Sequence, residues 1–255
     1  MTTLRIGHLY PRHMNLYGDR GNVVCLVNRC RWRGISVTVE AIGLGDAIDP
    51  DGYDLIFVGG GPDREQGRVA DDLLSLKADA LRAAVERQVV LLAVCGGYQL
   101  LGRYYRPGDG ADLPGLGLLD LYTEHPGHRV HRCIGNLTAT WNGATLVGFE
   151  NHGGRTHLGA AATPLATVAQ GWGNNGVDHT EGATQGTVYG TYLHGSFLPK
   201  NPAFADHLLA QALAHAGAAP GLLTPLDDSI ELRALATAVR LAGEQQSTGF
   251  LSWKI

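Results

Sequence analysis

Cys95 sits where a side chain could act as a nucleophile. Val89-Val90-Leu91-Leu92-Ala93-Val94 is apolar and rich in β-branched types, and it breaks at Cys95-Gly96-Gly97 before the amphipathic stretch Tyr98-Gln99-Leu100-Leu101. That order predicts a buried parallel strand, a sharp turn and a helix. A cysteine so placed lies at the carboxyl end of a sheet, where open α/β proteins bind ligands, and a helix N-terminus beside it favours the thiolate. Gly96 and Gly97 supply the permissive backbone of a tight elbow and bare N–H groups for an oxyanion. The plainer reading is a small hydrophobe at a strand end.

His194 is the residue that could act on such a thiol. Thr187-Val188-Tyr189-Gly190-Thr191 is a β-branched and aromatic run that delivers Tyr192-Leu193-His194 at its end. Imidazole titrates near neutrality, so it can take a proton from a thiol and return it to a leaving amine. The chain has 11 histidines, any of which could simply hydrogen-bond, and the pairing with the elbow is what sets His194 apart. A second glycine loop, Gly59-Gly60-Gly61-Pro62-Asp63-Arg64-Glu65-Gln66, follows the apolar run 53–58. No Lys-Ser/Thr follows its glycines, so it is no phosphate cradle. Its use would be to offer an N–H, from Gly60 or Gly61, to the oxyanion that Gly96 faces.

These residues need elements to hold them. Residues 4–8 read as a first strand, and Leu16-Tyr17-Gly18-Asp19-Arg20-Gly21-Asn22 as a turn whose Asp19 is a candidate N-cap. A helix carrying Val23, Val27 and Cys30 on one face ends at Gly34, and 35–40 alternates apolar and polar like an edge or half-covered strand. Residues 67–87 carry helical spacing. Strand and helix alternate through residue 102, which predicts an α/β fold, a flavodoxin-like doubly wound, mostly parallel sheet with helices on both faces. From 118 to about 191 short apolar segments, among them 134–140, 144–149 and 165–168, predict additional antiparallel strands and long loops. Two stretches, 148–157 and 171–176, set polar groups among glycines as substrate-contacting loops do. Asn201 would cap a helix with Pro202 in its first turn, Leu232, Leu235, Ala236 and Val239 mark another, and the tail after Gln246 carries no pattern.

Composition narrows the function classes. A chain of 255 residues with formal charge −4 and no Lys/Arg-rich run gives no electrostatic reason to expect nucleic acid or a polybasic membrane anchor. The four cysteines form no CxxC pair and no metal-ligand spacing, and read as reduced, cytoplasmic thiols. No apolar run approaches the ~18 residues of a membrane span, and no signal-peptide pattern opens the chain.

Asn15-Leu16-Tyr17-Gly18-Asp19, the 59–66 loop, Cys95-Gly96-Gly97-Tyr98-Gln99, Gly148-Phe149-Glu150-Asn151-His152-Gly153-Gly154-Arg155-Thr156 and Gly190-Thr191-Tyr192-Leu193-His194-Gly195 come in order over residues 4 to about 202. Together they resemble a class I glutamine amidotransferase domain of the cobyric acid synthase-like branch. Within it they are most similar to glutaminase subunits that serve a Mur-ligase-like protein acting on lipid II. The resemblance implies that Cys95 attacks the side-chain amide of L-glutamine, that His194 moves the proton, and that Gly96 with Gly60 or Gly61 holds the oxyanion. It places the substrate carboxylate on Arg132, within Arg132-Cys133-Ile134-Gly135-Asn136, with Arg129 as second choice, and makes Gln99, Asn151 and His152 substrate contacts. It further implies an amidotransferase-like domain over 1–203, a helical extension over 204–255, a heterodimer with the ligase-like partner, and no metal or cofactor in this chain. ATP and Mg²⁺ would belong to the partner, through which lipid II is reached. Alternatives are another acceptor, such as a cobyrinate-type carboxylate, or a catalytically silent scaffold subunit.

The chain departs from the wider class in one respect. Many class I amidotransferases carry His-x-Glu, whereas this chain has His194-Gly195-Ser196. That leaves a Cys–His dyad or a third member from elsewhere, with Glu150 and Asp19 as candidates that the spacing does not single out. A thiol-reactive glutamine analogue is expected to label Cys95 stoichiometrically; a chain that takes up none would keep only a binding role.

Overall fold

A computed structural model describes residues 2–194, 196–219 and 221–247; Gly195 and nearly all of the tail after Gln246 lie outside the described residues. The first half alternates strand and helix: β1 (Thr3–Leu9), α1 (Arg20–Trp32), β2 (Ser36–Ile42), β3 (Leu55–Val58), α2 (Asp63–Asp72), α3 (Ala78–Glu86), β4 (Val90–Val94) and α4 (Gly96–Leu100). The middle holds β5 (Tyr104–Arg106), β6 (Leu113–Pro114), β7 (Leu121–Glu124), β8 (Cys133–Trp141), β9 (Ala144–His152), β10 (Arg155–Leu158), β11 (Ala166–Gln170), β12 (Thr180–Glu181) and β13 (Ala183–Gln185). Then come β14 (Val188–Thr191), α5 (Pro202–His215) and α6 (Ser229–Ser247).

The main sheet runs β13-β14-β4-β3-β1-β2. Every pairing in it is parallel except that of β13 with β14, and the order β2-β1-β3-β4-β14 is that of flavodoxin-like sheets. Residues of β3, β4 and β14 are all buried, as strands covered on both faces must be. At the edge, β2 is mostly exposed rather than alternating: Val37 is half-buried, Val39 is exposed and only Ile42 is buried. Two four-stranded sheets, β10-β7-β5-β6 and β12-β11-β8-β9, make up the middle of the chain; the second is antiparallel throughout.

Three expectations change. The helix read over 67–87 is two, α2 and α3, joined by a π turn at Leu73–Lys77. Asp72 closes that joint, accepting hydrogen bonds from Tyr10 Oη at 2.6 Å, Gly45 N at 2.7 Å and buried Lys77 Nζ. The stretch 148–157 is no loop but the end of β9 and most of β10, turned at Gly153-Gly154. Asn201 does precede α5, yet its side chain makes no capping bond. It accepts from Val147 N at 2.9 Å and donates to Val147 O and Phe197 O, fastening β9 to the turn after His194.

Helix α5 shares the core of the main sheet, whereas α6 packs on the second, antiparallel sheet. Phe204, Leu208 and Ala212 of α5 are fully buried in that core, and α6 lies along β8, β9 and β11. Arg29 of α1, buried, forks onto Asp206 of α5 at 2.7 Å and Asp228 at 2.6 Å, so these segments are locked by charge-assisted bonds as well as apolar contact.

Close approach dictates Gly190 on β14, since a Cβ there would lie 1.9 Å from Tyr98 Cδ2 of α4. Gly190→Ala is expected to destabilise the fold by about 2 kcal/mol or more, the scale of core overpacking. Chemical denaturation measures it, and unchanged stability would contradict this packing.

Candidate active site

The elbow at Cys95 is sharp and strained. Its φ of 49° and ψ of −106° are unusual for a non-glycine residue, and the conformation turns the chain from β4 directly into α4. Cys95 N donates to Thr191 O at 2.8 Å and Gly97 N to Gly59 O at 3.2 Å, which pins the turn to β14 and to the glycine loop. A Cβ on Gly97 would lie 2.7 Å from Gly59 O, and one on Gly96 would lie 2.3 Å from Gln66 Nε2. The two glycines therefore make room for the neighbouring loop.

His194 follows β14, beside β4 in the sheet, and is fixed by a backbone bridge to Phe149: His194 N donates to Phe149 O at 2.8 Å. Its ring is fully buried, and Nδ1 lies 3.1 Å from Asp19 Oδ1. With Nδ1 bonded to a carboxylate, Nε2 is the nitrogen left free on the ring, and it has no hydrogen-bond partner among the described residues. A Cβ on Gly60 would lie 2.6 Å from His194 Cε1 and 3.2 Å from Cys95 Cβ, so the bare backbone of Gly60 is wedged between imidazole and cysteine. Burial opposes protonation of His194, but a charge at the neighbouring Cys95 and the hydrogen-bonded carboxylate of Asp19 outweigh it, and its pKa is raised.

Asp19 is thus the carboxylate that holds the imidazole. It precedes α1 as the sequence indicates but makes no capping bond; Asn15 Oδ1 accepts from Arg20 N at 2.8 Å instead. Asp19 is free to reach inward, where Oδ2 accepts from Gly60 N at 2.7 Å and Oδ1 takes His194. Glu150 faces elsewhere, accepting from Trp172 N at 2.8 Å and Gly173 N at 3.0 Å, and burial raises its pKa to about 8.

The oxyanion expectation is narrowed by the same bond. Gly60 N–H is committed to Asp19, so it cannot serve an oxyanion. Gly61 N lies 3.2 Å from the point where a Cβ on Gly96 would sit, so Gly61 and Gly96 are neighbours in the site and are the candidates left.

A cavity of about 260 Å³ opens over these groups, lined by Cys95, Gly61, Gln99, Arg132, Asn151 and His152, with Tyr17, Gln66 and Tyr105 among the other residues. Both arginines are exposed, but Arg132 lines the cavity, with Nε on Asn151 Oδ1 at 3.1 Å, and Arg129 lies outside the lining. Gln99 and Gln66 share a hydrogen bond of 2.9 Å, and Gln99 Nε2 donates to Tyr192 Oη at 3.1 Å. His152 stacks on Tyr192 with ring centroids 3.6 Å apart, and burial lowers its pKa to about 3; it is a neutral wall, not a base. Tyr17 and Gln66 were not singled out from the sequence, although both lie inside motifs quoted above. No group of three or more His, Cys, Asp or Glu side chains is placed to hold a metal, and no helix is long and apolar enough to cross a membrane, among the described residues.

A nucleophilic cysteine at a strand-to-helix elbow, a carboxylate-held imidazole and a pair of N–H groups, set on a flavodoxin-like sheet, equip the site for acyl transfer through a thioester. Residues 5–202 match the CobB/CobQ-like glutamine amidotransferase domain, and the chain belongs to that family. Over 248 residues it is 39% identical to the Staphylococcus aureus lipid II isoglutaminyl synthase (glutamine-hydrolyzing) subunit GatD, covering 97% of this chain and 100% of that protein. The Streptococcus pneumoniae GatD is 40% identical over 82% of this chain and 80% of its own length. A cobyric acid synthase from Pelotomaculum thermopropionicum is 36% identical, but over 60% of this chain and 32% of its own length. Solved structures of a Thermotoga maritima glutamine amidotransferase (15% identity, 97% of this chain and 99% of that chain, TM-score 0.54) and of the glutaminase domain of Trypanosoma brucei CTPS (11%, 88% and 98%, 0.53) share the fold.

Replacing Asp19 by Asn removes a negative partner of the imidazolium, so the pH at which His194 loses its proton is expected to fall. Imidazole resonances followed by NMR against pH give the value; no downward move would remove Asp19 from the triad.

Proposed function

We propose that this chain is the glutaminase subunit of a lipid II isoglutaminyl synthase, hydrolysing L-glutamine at Cys95 and passing the ammonia to a Mur-ligase-like partner, MurT. The partner, with ATP and Mg²⁺, would activate the D-glutamate carboxylate of lipid II and amidate it to D-isoglutamine. The observation that carries the reading is the convergence of Cys95, His194 and Asp19 beneath a cavity that Arg132 also lines, in a chain matched to GatD over nearly its full length. Arg132 offers the planar fork suited to the α-carboxylate, which places the side-chain amide toward the elbow.

In the proposed reaction the Cys95 thiolate attacks the amide carbon, and the oxyanion forms against Gly61 and Gly96 N–H. His194 then protonates the nitrogen, the C–N bond breaks and ammonia leaves. The neutral imidazole next takes a proton from water, whose oxygen attacks the thioester, and glutamate departs as the thiolate re-forms. Asp19 holds Nδ1 throughout and keeps Nε2 aimed at the reacting atoms.

A cobyrinate-type acceptor draws less support, because cobyric acid synthase resembles the chain over only part of either length. A silent scaffold has no use for a buried Cys–His–Asp arrangement.

In the complex with its ligase partner, Cys95→Ala is expected to abolish glutamine-dependent amidation while leaving amidation from added ammonium salts intact. Arg132→Lys should raise the KM for glutamine by about tenfold, because an ammonium cannot reproduce the bidentate pair. Glutamine hydrolysis surviving in Cys95→Ala would overturn the mechanism, and an unchanged KM in Arg132→Lys would remove the carboxylate assignment.

A further inference from the structure

Tyr17 is an unusual residue in an unusual place. It lies in the short 3₁₀ turn Leu16–Gly18 with φ 52° and ψ 23°, left-handed values that a bulky residue rarely adopts, and it is 48% exposed. Its ring stands edge-on to His194 with centroids 5.0 Å apart, and its Oη accepts from Asn151 Nδ2 at 2.5 Å. Asn151 in turn accepts from Arg132 twice, at Oδ1 from Nε (3.1 Å) and at the backbone carbonyl from Nη2 (3.3 Å). Arg132, Asn151, Tyr17 and His194 therefore form an unbroken line of contacts across the cavity mouth. Two residues after Tyr17, Asp19 holds the same imidazole at Nδ1, so one turn touches His194 at both its face and its nitrogen.

The line begins at the group proposed to bind the substrate's α-carboxylate. A carboxylate that takes Arg132 bidentately must share or displace its bonds to Asn151, and Asn151 holds the Tyr17 hydroxyl. We propose that Tyr17 is a positioning residue that couples occupation of the Arg132 site to the orientation of His194, so that the imidazole is set for proton transfer when a molecule bearing an α-carboxylate is bound. The inference rests on the glutamine reading above and adds to it a means of rejecting amides that lack the carboxylate.

Tyr17→Phe keeps the ring and removes only the hydroxyl, so it separates coupling from packing. In the ligase complex, kcat for glutamine is expected to fall about tenfold, the effect of one lost hydrogen bond, with KM changing less than about threefold. The rate of Cys95 alkylation by iodoacetamide, a neutral reagent with no carboxylate for Arg132, should stay as in the wild type. Asn151→Ala placed on Tyr17→Phe should lower kcat no further, because both changes cut the same line. An unaltered kcat, an alkylation rate that falls in parallel with kcat, or losses that multiply in the double variant would each overturn the inference. A wild-type complex that releases no ammonia from glutamine would overturn the amidotransferase reading itself, and the inference with it.

Discussion

One buried carboxylate ties the site to the fold. Asp19, fully enclosed, accepts Gly60 N–H with one oxygen and His194 Nδ1 with the other. An ionised carboxylate out of water is tolerable only when its oxygens are bonded, and here the bonds reach the glycine loop after β3 and the histidine after β14. Losing it would leave the imidazole without its orienting partner and Gly60 N–H without an acceptor. The tautomer of His194 and the path of the glycine loop after β3 are both fixed at this one point.

The sheet explains how such distant residues meet. In the order β2-β1-β3-β4-β14, the strands that precede Asp19, Gly60, Cys95 and His194 are neighbours and parallel, so their carboxyl ends form one rim. The site then needs backbone to pass where side chains do not fit. At Gly59 a Cβ would lie 2.4 Å from Met14 O, and at Gly60 it would strike His194. Glycine at these positions is a steric requirement of bringing an acid, a base and a nucleophile within reach of each other.

Much of this was legible in the sequence, because β4 and β14 carry strong local signals and each ends in a residue with obvious chemistry. The parallel core follows from strand–helix alternation, and the strands β8 and β9 from their short apolar segments. What was not legible depends on side chains that serve purposes other than their local one. Asp19 has the type and position of a helix cap, and only the three-dimensional path shows that Asn15 takes that bond and sets it free. The π turn at Leu73–Lys77 answers to Tyr10 and Gly45, residues far away in sequence. In sequence Gly60 and Gly61 are equivalent as oxyanion donors, and only the fold sets the Gly60 N–H on Asp19. Short strands such as β6 and β12, two residues each, have too little sequence to show a period.

The proposed chemistry turns on a thioester at Cys95, formed while His194 and Asp19 manage the proton. The most direct measurement is intact-mass and peptide mapping of the ligase complex, acid-quenched during turnover with excess glutamine. A γ-glutamyl group on the peptide containing Cys95, absent when glutamine is omitted, is the result predicted. Turnover with the acyl group on another residue, or ammonia release undiminished after Cys95 has been alkylated, would contradict it.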